Sequence, residues 1–417
     1  MREGLTVAEA QAVVLEATGV LGAETISAWD AAGRVLAEDV RATRQHPPAD
    51  CSAMDGYAVR RADLLGASSA SPVALPVVYE VPAGGQALRR LEAGEAARIF
   101  TGAPLPPGAD AVVMQERTEA AGERVRFLIV PEPRDNVRDA GEDFRVGDLL
   151  IEAGTVLGSA HLGVLASVGR SVVAVHQQPT VAILSGGDEL VEPDRVADDG
   201  RIVSSNSYTL AAQCREIGAR PVYLGIAADR PEAIEARLRA GLRADVIVSS
   251  AGVSVGDHDH VRGVLERLGC RLLFWGVLMK PGYPLAFGRI ESTGTLVFGL
   301  PGNPVSTAVT FDEFVRPALR KLMGHRQLHR PVVKARLASA LRKKPGRLHF
   351  VRVALAREAG ALVATPTANQ SSGVLTSLIR GQGLAIFPAE AASLDAGQEV
   401  DVQIIDAGFF ERPDRGF

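Results

Sequence analysis

Four short apolar runs recur between residues 179 and 330, and each one leads into a polar turn. The runs cover residues 181–184, 221–225, 244–248 and 296–298, and helical patterns fill the gaps at 210–217, 231–242, 260–268 and 305–322. Strands that are apolar along their whole length are typical of a parallel sheet covered on both faces. In such sheets ligands gather beyond the carboxyl ends of the strands, so the four turns predict one binding edge.

The rest of the chain has other patterns. Residues 7–20 repeat apolar positions at helical spacing, with Thr6 as the predicted cap. From about residue 42 to 150, short apolar runs alternate with proline and glycine, which predicts a mostly β region. A similar stretch from about residue 331 predicts a small C-terminal β domain. We therefore predict a multidomain α/β protein with a central α/β domain of the parallel-sheet type, mostly β domains and a small C-terminal β domain.

Composition narrows the classes of function. The 417 residues are 47% hydrophobic and 23% charged, with a net charge of −4 and no basic block for nucleic acid. No apolar run approaches the roughly 20 residues that span a bilayer. The three cysteines lie far apart without a CxxC pair, which excludes a disulfide framework and a cysteine zinc site. We expect a cytoplasmic protein with neither a nucleic-acid nor a membrane partner.

The most informative turn covers residues 249–259. Its glycines and hydroxyls expose backbone N–H groups to an anion, and Asp257 and Asp259 stand at its end. Residues 257–260 also allow a transition-metal site, because two alternating side chains can face one ion on an extended loop. We favour Asp257 and Asp259 as the functional residues of this turn.

Three further carboxylates, Asp188, Glu189 and Asp229, follow the neighbouring runs. With the two aspartates they predict a site for a divalent cation such as Mg²⁺, which takes one or two protein carboxylates and completes its shell with phosphate and water. Five carboxylates exceed the needs of one ion, so some are expected to cap helices.

Two rigid turns offer groups for an anion. Lys280 follows the apolar run 272–278 and precedes Pro281 and Pro284. Asn303, between Pro301 and Pro304, or the helix start behind it can receive an oxyanion. The plainer interpretation of Lys280 is a surface lysine after a strand.

In the β region, Asp55-Gly56 and Thr101-Gly102 by themselves indicate only turns. The chain has no GxSxG, Walker-type glycine loop or dinucleotide fingerprint, which removes the commonest alternatives.

Together these segments resemble the molybdopterin molybdenumtransferases, the MoeA family that includes the E domain of gephyrin and its plant counterpart. The resemblance extends over nearly the whole chain, in the segments 32–40, 52–58, 101–104, 108–113, 141–143, 187–190, 252–257, 280–282 and 300–304.

The resemblance implies insertion of molybdenum from molybdate into adenylylated molybdopterin, with release of AMP and a need for Mg²⁺. It implies an elongated homodimer whose active site lies between the α/β domain of one subunit and the second domain of the other. The domains it implies are 1–41 with 146–178 (domain I), 42–145 (domain II), 179–330 (domain III) and 331–417 (domain IV).

Residue roles follow from the same resemblance. Glu189, Asp229 and Asp257 would serve the metal and nucleotide region, and Asp259 the substrate. Asp55, Thr101 and Asp143 would come from the second domain of the partner, and Lys280 would take up molybdate or phosphate. The remaining substrate-binding residues implied are Gly252, Ser254, Gly256, Pro301, Asn303, Pro304, Arg352 and Ser372.

Three departures from the family pattern leave alternatives open. Tyr283 stands where the family often has a second lysine, Ala251 occupies a usual glycine, and Ser371 precedes Ser372 where glycine is common. Losing one partly exposed cation weakens anion binding by about 1 kcal/mol. A paralogue that prefers tungstate, a weakly active binding scaffold and a Mg²⁺-dependent phosphohydrolase are the alternatives. The sequence also leaves open a transient contact with a separate molybdopterin adenylyltransferase.

Overall fold

The central sheet has seven strands and contains all four of the apolar runs. The structure, a computed structural model, describes residues 1–195, 200–250, 260–358 and 360–411. In spatial order the strands are Arg2–Leu5, Cys270–Val277, Ala286–Ile290, Leu296–Leu300, Val246–Ser250, Thr180–Gly186 and Arg220–Ala227. The last four are parallel neighbours, as predicted.

The sheet is mixed, which differs from the parallel type expected. Ala286–Ile290 runs antiparallel to both of its neighbours, and Arg2–Leu5 adds a parallel edge strand beside Cys270–Val277. The N-terminal strand and the helix Val7–Ala17 pack into the core of this sheet, whereas the predicted domain I begins at residue 1. The predicted domain boundaries otherwise stay predictions.

Both faces of the central sheet are covered. Along one strand Val181 and Ile183 enter one hydrophobic core, while Ala182 and Leu184 enter the other. This alternation is the period of two that a strand imposes on its side chains. The covering helices are Val7–Ala17, Asn206–Glu216, Pro231–Gly241, His260–Arg267, Pro304–Thr310 and Arg316–Leu322, the last two joined by a π-helical turn at Phe311–Val315.

The second region is a six-stranded sheet, as its punctuated pattern predicts. Its strands in spatial order are Ala111–Met114, Gly56–Val59, Ala96–Ile99, Val73–Val81, Arg124–Phe127 and Thr118–Ala121. A two-stranded ladder pairs Cys51–Ser52 with Val137–Arg138, the segments that precede and follow this sheet in the chain. Short 3₁₀ turns occur at Arg61–Leu64 and Gln115–Arg117.

A smaller core joins two distant parts of the chain. Ala23–Ser27 pairs antiparallel with Val172–His176, and Val40–Arg41 pairs with Leu149–Ile151. The helix Ser159–Ser167 contributes Leu165 to this core.

The C-terminal region closes into a five-stranded barrel. Around the ring the strands are Leu348–Glu358, Ala361–Pro366, Val332–Leu337, Glu399–Ile404 and Gly383–Phe387, and the last pairs with the first. The two-residue strand Met279–Lys280 adds to this barrel through Leu348 and His349. The short helix Thr376–Arg380 and the ladder Leu341–Arg342 with Ser393–Leu394 complete the region. In the described part of the chain no helix has the length and apolar character to cross a membrane.

Candidate functional site

The strand register brings the predicted turns to one edge of the central sheet. Ser250 pairs with Ser185 on one side and with Leu300 on the other, and Gly186 pairs with Ala227. Since the four strands are parallel and in register at their last residues, the chain leaves the sheet at the same edge each time. The convergence predicted from the apolar runs is therefore present.

Three exposed carboxylates lie on two adjacent tips of this edge. The Asp229 N–H donates to Asp188 Oδ1 at 3.1 Å, which ties the two tips together. The Glu189 carboxylate lies over Gly187, where an added Cβ would stand 2.5 Å from Oε2, and Gly187 has a φ of 141°. Only glycine readily adopts that backbone conformation. The local sequence thus fixes where the Glu189 carboxylate sits.

The acidic edge, meaning Asp188, Glu189 and Asp229, fits Mg²⁺ by its chemistry. All three side chains are exposed, and within the described residues none of them forms an ion pair. Exposed carboxylate oxygens with free coordination sites are the hard ligands that Mg²⁺ takes. Among the described residues no three metal-binding side chains already form a cage. The metal role of Glu189, Asp229 and Asp257 therefore stays a prediction.

Five of the predicted site residues lie outside the described residues: Gly252, Ser254, Gly256, Asp257 and Asp259. Their strand Val246–Ser250 is entirely buried and ends at the same edge as the acidic tips. The strand therefore ends where the sequence predicts.

A cavity of about 500 Å³ brings together several residues predicted to bind an anion. Lys280, Asn303 and Ser372, which are distant in the chain, all line it, as does Tyr283. We name it the Lys280 cavity; its walls are Met279, Lys280, Pro281, Gly282, Tyr283, Pro284, Asn303, Ser306, Arg347, Gln370, Ser371 and Ser372. Pro301 and Pro304 flank the Asn303 turn without being among these residues.

Hydrogen bonds between elements hold the walls of this cavity in place. The Val305 N–H donates to the Ser372 carbonyl at 3.0 Å, which joins the helix after Asn303 to the loop 369–372. Met279–Lys280 is a barrel strand, so Lys280 is held between the central sheet and the C-terminal barrel. The cavity thus forms where these two units meet.

Arg352 supports this loop from inside the barrel. Its side chain is wholly buried and donates to Ser377 Oγ at 3.1 Å and to the carbonyls of Asn369 and Ser371 at 3.3 and 3.0 Å. Burial lowers the pKa of Arg352 to about 10. Its Nη1 has no hydrogen-bond partner among the described residues, and Arg352 is not among the residues that line the Lys280 cavity. The geometry makes it a support of the Ser371–Ser372 loop, and its contact with an oxyanion stays a prediction.

Arg347 is a cavity residue that the sequence reasoning missed. Its guanidinium carbon lies 4.4 Å from the centre of the Tyr283 ring, a cation–π distance, and both residues line the cavity. Tyr283 stands where the family pattern often has lysine, and the ring places another cation at that point. The signal in the sequence was the basic run that ends at Arg347 in a chain of net charge −4.

The residues predicted from the second region form a separate exposed unit. Thr101 donates both its N–H and its Oγ1 to Asp55 Oδ1 at 2.8 Å, and these bonds lower the pKa of Asp55. Asp143 is exposed on a neighbouring loop that His46 holds through a backbone bond of 3.0 Å. None of these three residues lines the Lys280 cavity of the same chain. The expected meeting of the two groups across a subunit interface stays a prediction.

Family models match almost the entire chain. Residues 5–169 match the MoeA N-terminal region (domain I and II). Residues 182–321 match a probable molybdopterin binding domain, and residues 334–405 match the MoeA C-terminal region (domain IV).

Named relatives and solved structures agree with these matches. A molybdopterin molybdenumtransferase of Nostoc sp. is 40% identical, with 90% of this chain and 87% of the relative covered. One of Haemophilus influenzae is 35% identical, with 91% and 93% covered. The solved structure of a molybdopterin biosynthesis MoeA protein from Pyrococcus horikoshii superposes with a TM-score of 0.84 at 34% identity, with 96% of this chain and 99% of that chain covered.

Proposed function

The chain belongs to the molybdopterin molybdenumtransferase (MoeA) family, and from that premise we propose that it inserts molybdenum from molybdate into adenylylated molybdopterin and releases AMP. This places it in the biosynthesis of the molybdenum cofactor. The observation that carries the proposal is the Lys280 cavity, a cationic, hydroxyl-lined pocket at the edge that also carries Asp188, Glu189 and Asp229, three carboxylates that form no ion pair among the described residues.

Molybdate, a tetrahedral dianion, would bind in the Lys280 cavity. Lys280 and Arg347 supply the positive charge, while the hydroxyls of Ser306 and Ser372 and the Asn303 amide supply hydrogen bonds. Charged hydrogen bonds to an oxyanion are about twice as strong as neutral ones, so the two cations dominate its affinity.

The acidic edge would hold Mg²⁺ through Glu189 and Asp229. When bound, Mg²⁺ supplies positive charge that offsets the pyrophosphate of the adenylylated pterin. Asp188 positions Asp229 because it accepts the Asp229 N–H. The protein residues thus orient a polyanionic substrate beside the oxyanion that it is to receive.

A release assay tests the reaction. Wild-type protein incubated anaerobically with adenylylated molybdopterin, molybdate and Mg²⁺ should release AMP, and Glu189→Ala should release none. Asp194→Ala, an exposed acid close by in the chain, serves as the control and should keep the wild-type rate. Absence of AMP release by the wild type would refute the proposal, and turnover of simple nucleotides without pterin would favour a phosphohydrolase.

We also propose that Asp55, Thr101 and Asp143 complete the site from the partner subunit of a homodimer. Complementation tests this directly. In a mixed dimer of Glu189→Ala and Asp55→Ala chains, a site shared between subunits leaves one site with both changes and one with neither. Mixing should then restore activity that each variant lacks alone. No recovery from mixed dimers, isolated by two affinity tags, would contradict the shared site.

A further inference from the structure

A second basic pocket lies directly beside the Lys280 cavity. We name it the basic cleft; its volume is about 410 Å³ and its walls are Lys280, Arg342, Lys343, Lys344, Pro345, Arg347 and His349. Every described wall residue except Pro345 carries a basic side chain, and no acidic residue of the described part of the chain lines the cleft. Lys280 and Arg347 line both pockets, so their side chains form the common wall.

The positive charge of this cleft is not neutralised by the described residues. None of its five lysines and arginines lies within 4.0 Å of a carboxylate there, whereas Lys334 on the same barrel pairs with Asp401 at 2.8 Å. Burial lowers the pKa of Lys343, and the charge of Glu390 opposes that shift. Unpaired cations of one sign repel each other, so an arrangement of this kind favours a bound anion.

Lys343 and His349 show that the cleft is built rather than a chance meeting of surface side chains. Lys343 Nζ donates to the Ala389 carbonyl at 3.0 Å and lies 4.8 Å from the centre of the Phe387 ring. The His349 ring stacks on the same Phe387, with 13° between the ring planes. Both basic residues are therefore fixed by the barrel strand that carries Phe387.

His349 also carries an unsatisfied polar atom at this place. The residue is only 7% exposed, and its Nε2 has no hydrogen-bond partner among the described residues. Burial, aided by the charges of Lys280, Arg352 and Lys343, lowers the pKa of His349 to about 4. An unpaired buried nitrogen is costly, and in the neutral tautomer that carries its proton on Nε2 the ring would donate to an oxyanion in the cleft.

We propose that the basic cleft is a second binding site for a small tetrahedral oxyanion, joined to the Lys280 cavity through Lys280 and Arg347. The identity of that anion as molybdate rests on the proposed function. The cleft would collect the anion from solvent, and the two shared cations would bind it in turn as it moves to the Lys280 cavity. The volume of the cleft accommodates the anion together with bound water, as expected of the site at which the anion first binds.

Counting bound anions tests this site. Equilibrium dialysis of the full chain against molybdate, with the metal measured by mass spectrometry, should give two equivalents for the wild type. Arg342→Gln/Lys344→Gln changes two exposed residues that line only the cleft and should bind one equivalent. Arg336→Gln/Arg357→Gln, exposed arginines of the same barrel, makes the same change of charge and should keep two. One equivalent in the wild type, or two in the cleft variant, would overturn the proposal.

Competition separates a free oxyanion from the phosphate of a nucleotide. Sulfate should displace the second equivalent at least as well as AMP does. Stronger displacement by AMP would mean that the cleft serves the phosphate of the substrate, which also overturns the proposal.

Kinetics separate this inference from the proposed function. In the AMP-release assay the cleft variant should keep the wild-type rate at saturating molybdate, while the molybdate concentration for half-maximal rate rises by about fivefold. An unchanged half-maximal concentration would refute a collecting role. If the wild type binds two anions yet releases no AMP, the proposed function fails and the second site stands.

Discussion

Replacing Glu313 by glutamine should stabilise the protein, and more so as pH rises. Glu313 lies in the π-helical turn Phe311–Val315 and is 5% exposed. Gln11 Nε2 reaches its Oε2 at 3.3 Å, while Oε1 has no partner among the described residues. Burial, together with the charge of neighbouring Asp312, raises the pKa of Glu313 to about 8.

The pKa shift sets the size and the sign of the effect. The ordinary pKa is 4.5, so between pH 4.5 and 8 the folded protein holds a proton that the unfolded chain has released. Stability therefore falls as pH rises through this window and is unpenalised below it. Linkage gives a penalty of about 2 kcal/mol at pH 6 and about 4 kcal/mol at pH 8. Glutamine keeps the shape without the charge, so its advantage over wild type should grow by about 2 kcal/mol between these pH values.

Thermal unfolding at the two pH values measures this difference. For a domain of about 150–250 residues, a stability difference of about 2 kcal/mol corresponds to a difference in Tm of roughly 4–8 °C. The Tm of Glu313→Gln minus that of the wild type should therefore increase by that amount from pH 6 to pH 8. Glu16→Gln, an exposed acid on helix Val7–Ala17, makes the same change of charge and is the control. A difference that is independent of pH, or that shrinks as pH rises, would refute the reasoning.

Two further predictions concern the site. Arg347→Ala should weaken molybdate binding about tenfold, because a cation close to the anion is lost, while Tyr283→Phe keeps the ring under the guanidinium and should stay within about twofold. Equal losses in both variants, by dialysis, would assign the interaction to the Tyr283 hydroxyl. Gly187→Ala should displace the Glu189 carboxylate and abolish Mg²⁺-dependent AMP release, because the new Cβ would stand 2.5 Å from Oε2. Gly186→Ala, whose Cβ would meet nothing within 4 Å, should keep activity, and loss of activity there would contradict this explanation.

The parallel core of the central sheet could be predicted because local pattern and tertiary environment agree there. Val246–Ser250 and Leu296–Leu300 are buried along their whole length, which matches continuous apolar runs. The helix start at Thr6 was equally clear, since Thr6 Oγ1 accepts the Glu9 N–H at 3.3 Å. Such short-range signals do not depend on distant residues.

What the sequence pattern missed is decided by long-range pairing. Arg2–Leu5 has only one buried residue and becomes a strand because Cys270–Val277 offers it an edge. Ala286–Ile290 is antiparallel because the chain reverses direction over the short segment that follows Cys270–Val277. Apolar runs alone do not show such a reversal. Arg347 reaches Tyr283 because the strand Leu348–Glu358 pairs with Met279–Lys280. Contacts between residues so far apart in the chain form only once the barrel has folded.

The distribution of charge argues that both pockets and the acidic edge serve ligands rather than stability. Some charges elsewhere on the described surface form ion pairs, as Arg89 does with Glu95 and Lys334 with Asp401, both at 2.8 Å. At the carboxyl edge the described residues leave Glu189 without a cation and Lys280 without a carboxylate. When opposite charges lie in the same protein without pairing, the fold forgoes the favourable interaction between them. A ligand that carries both positive and negative charge supplies the missing interactions. A polyanion that carries a divalent cation, placed beside a small oxyanion, satisfies both groups at once.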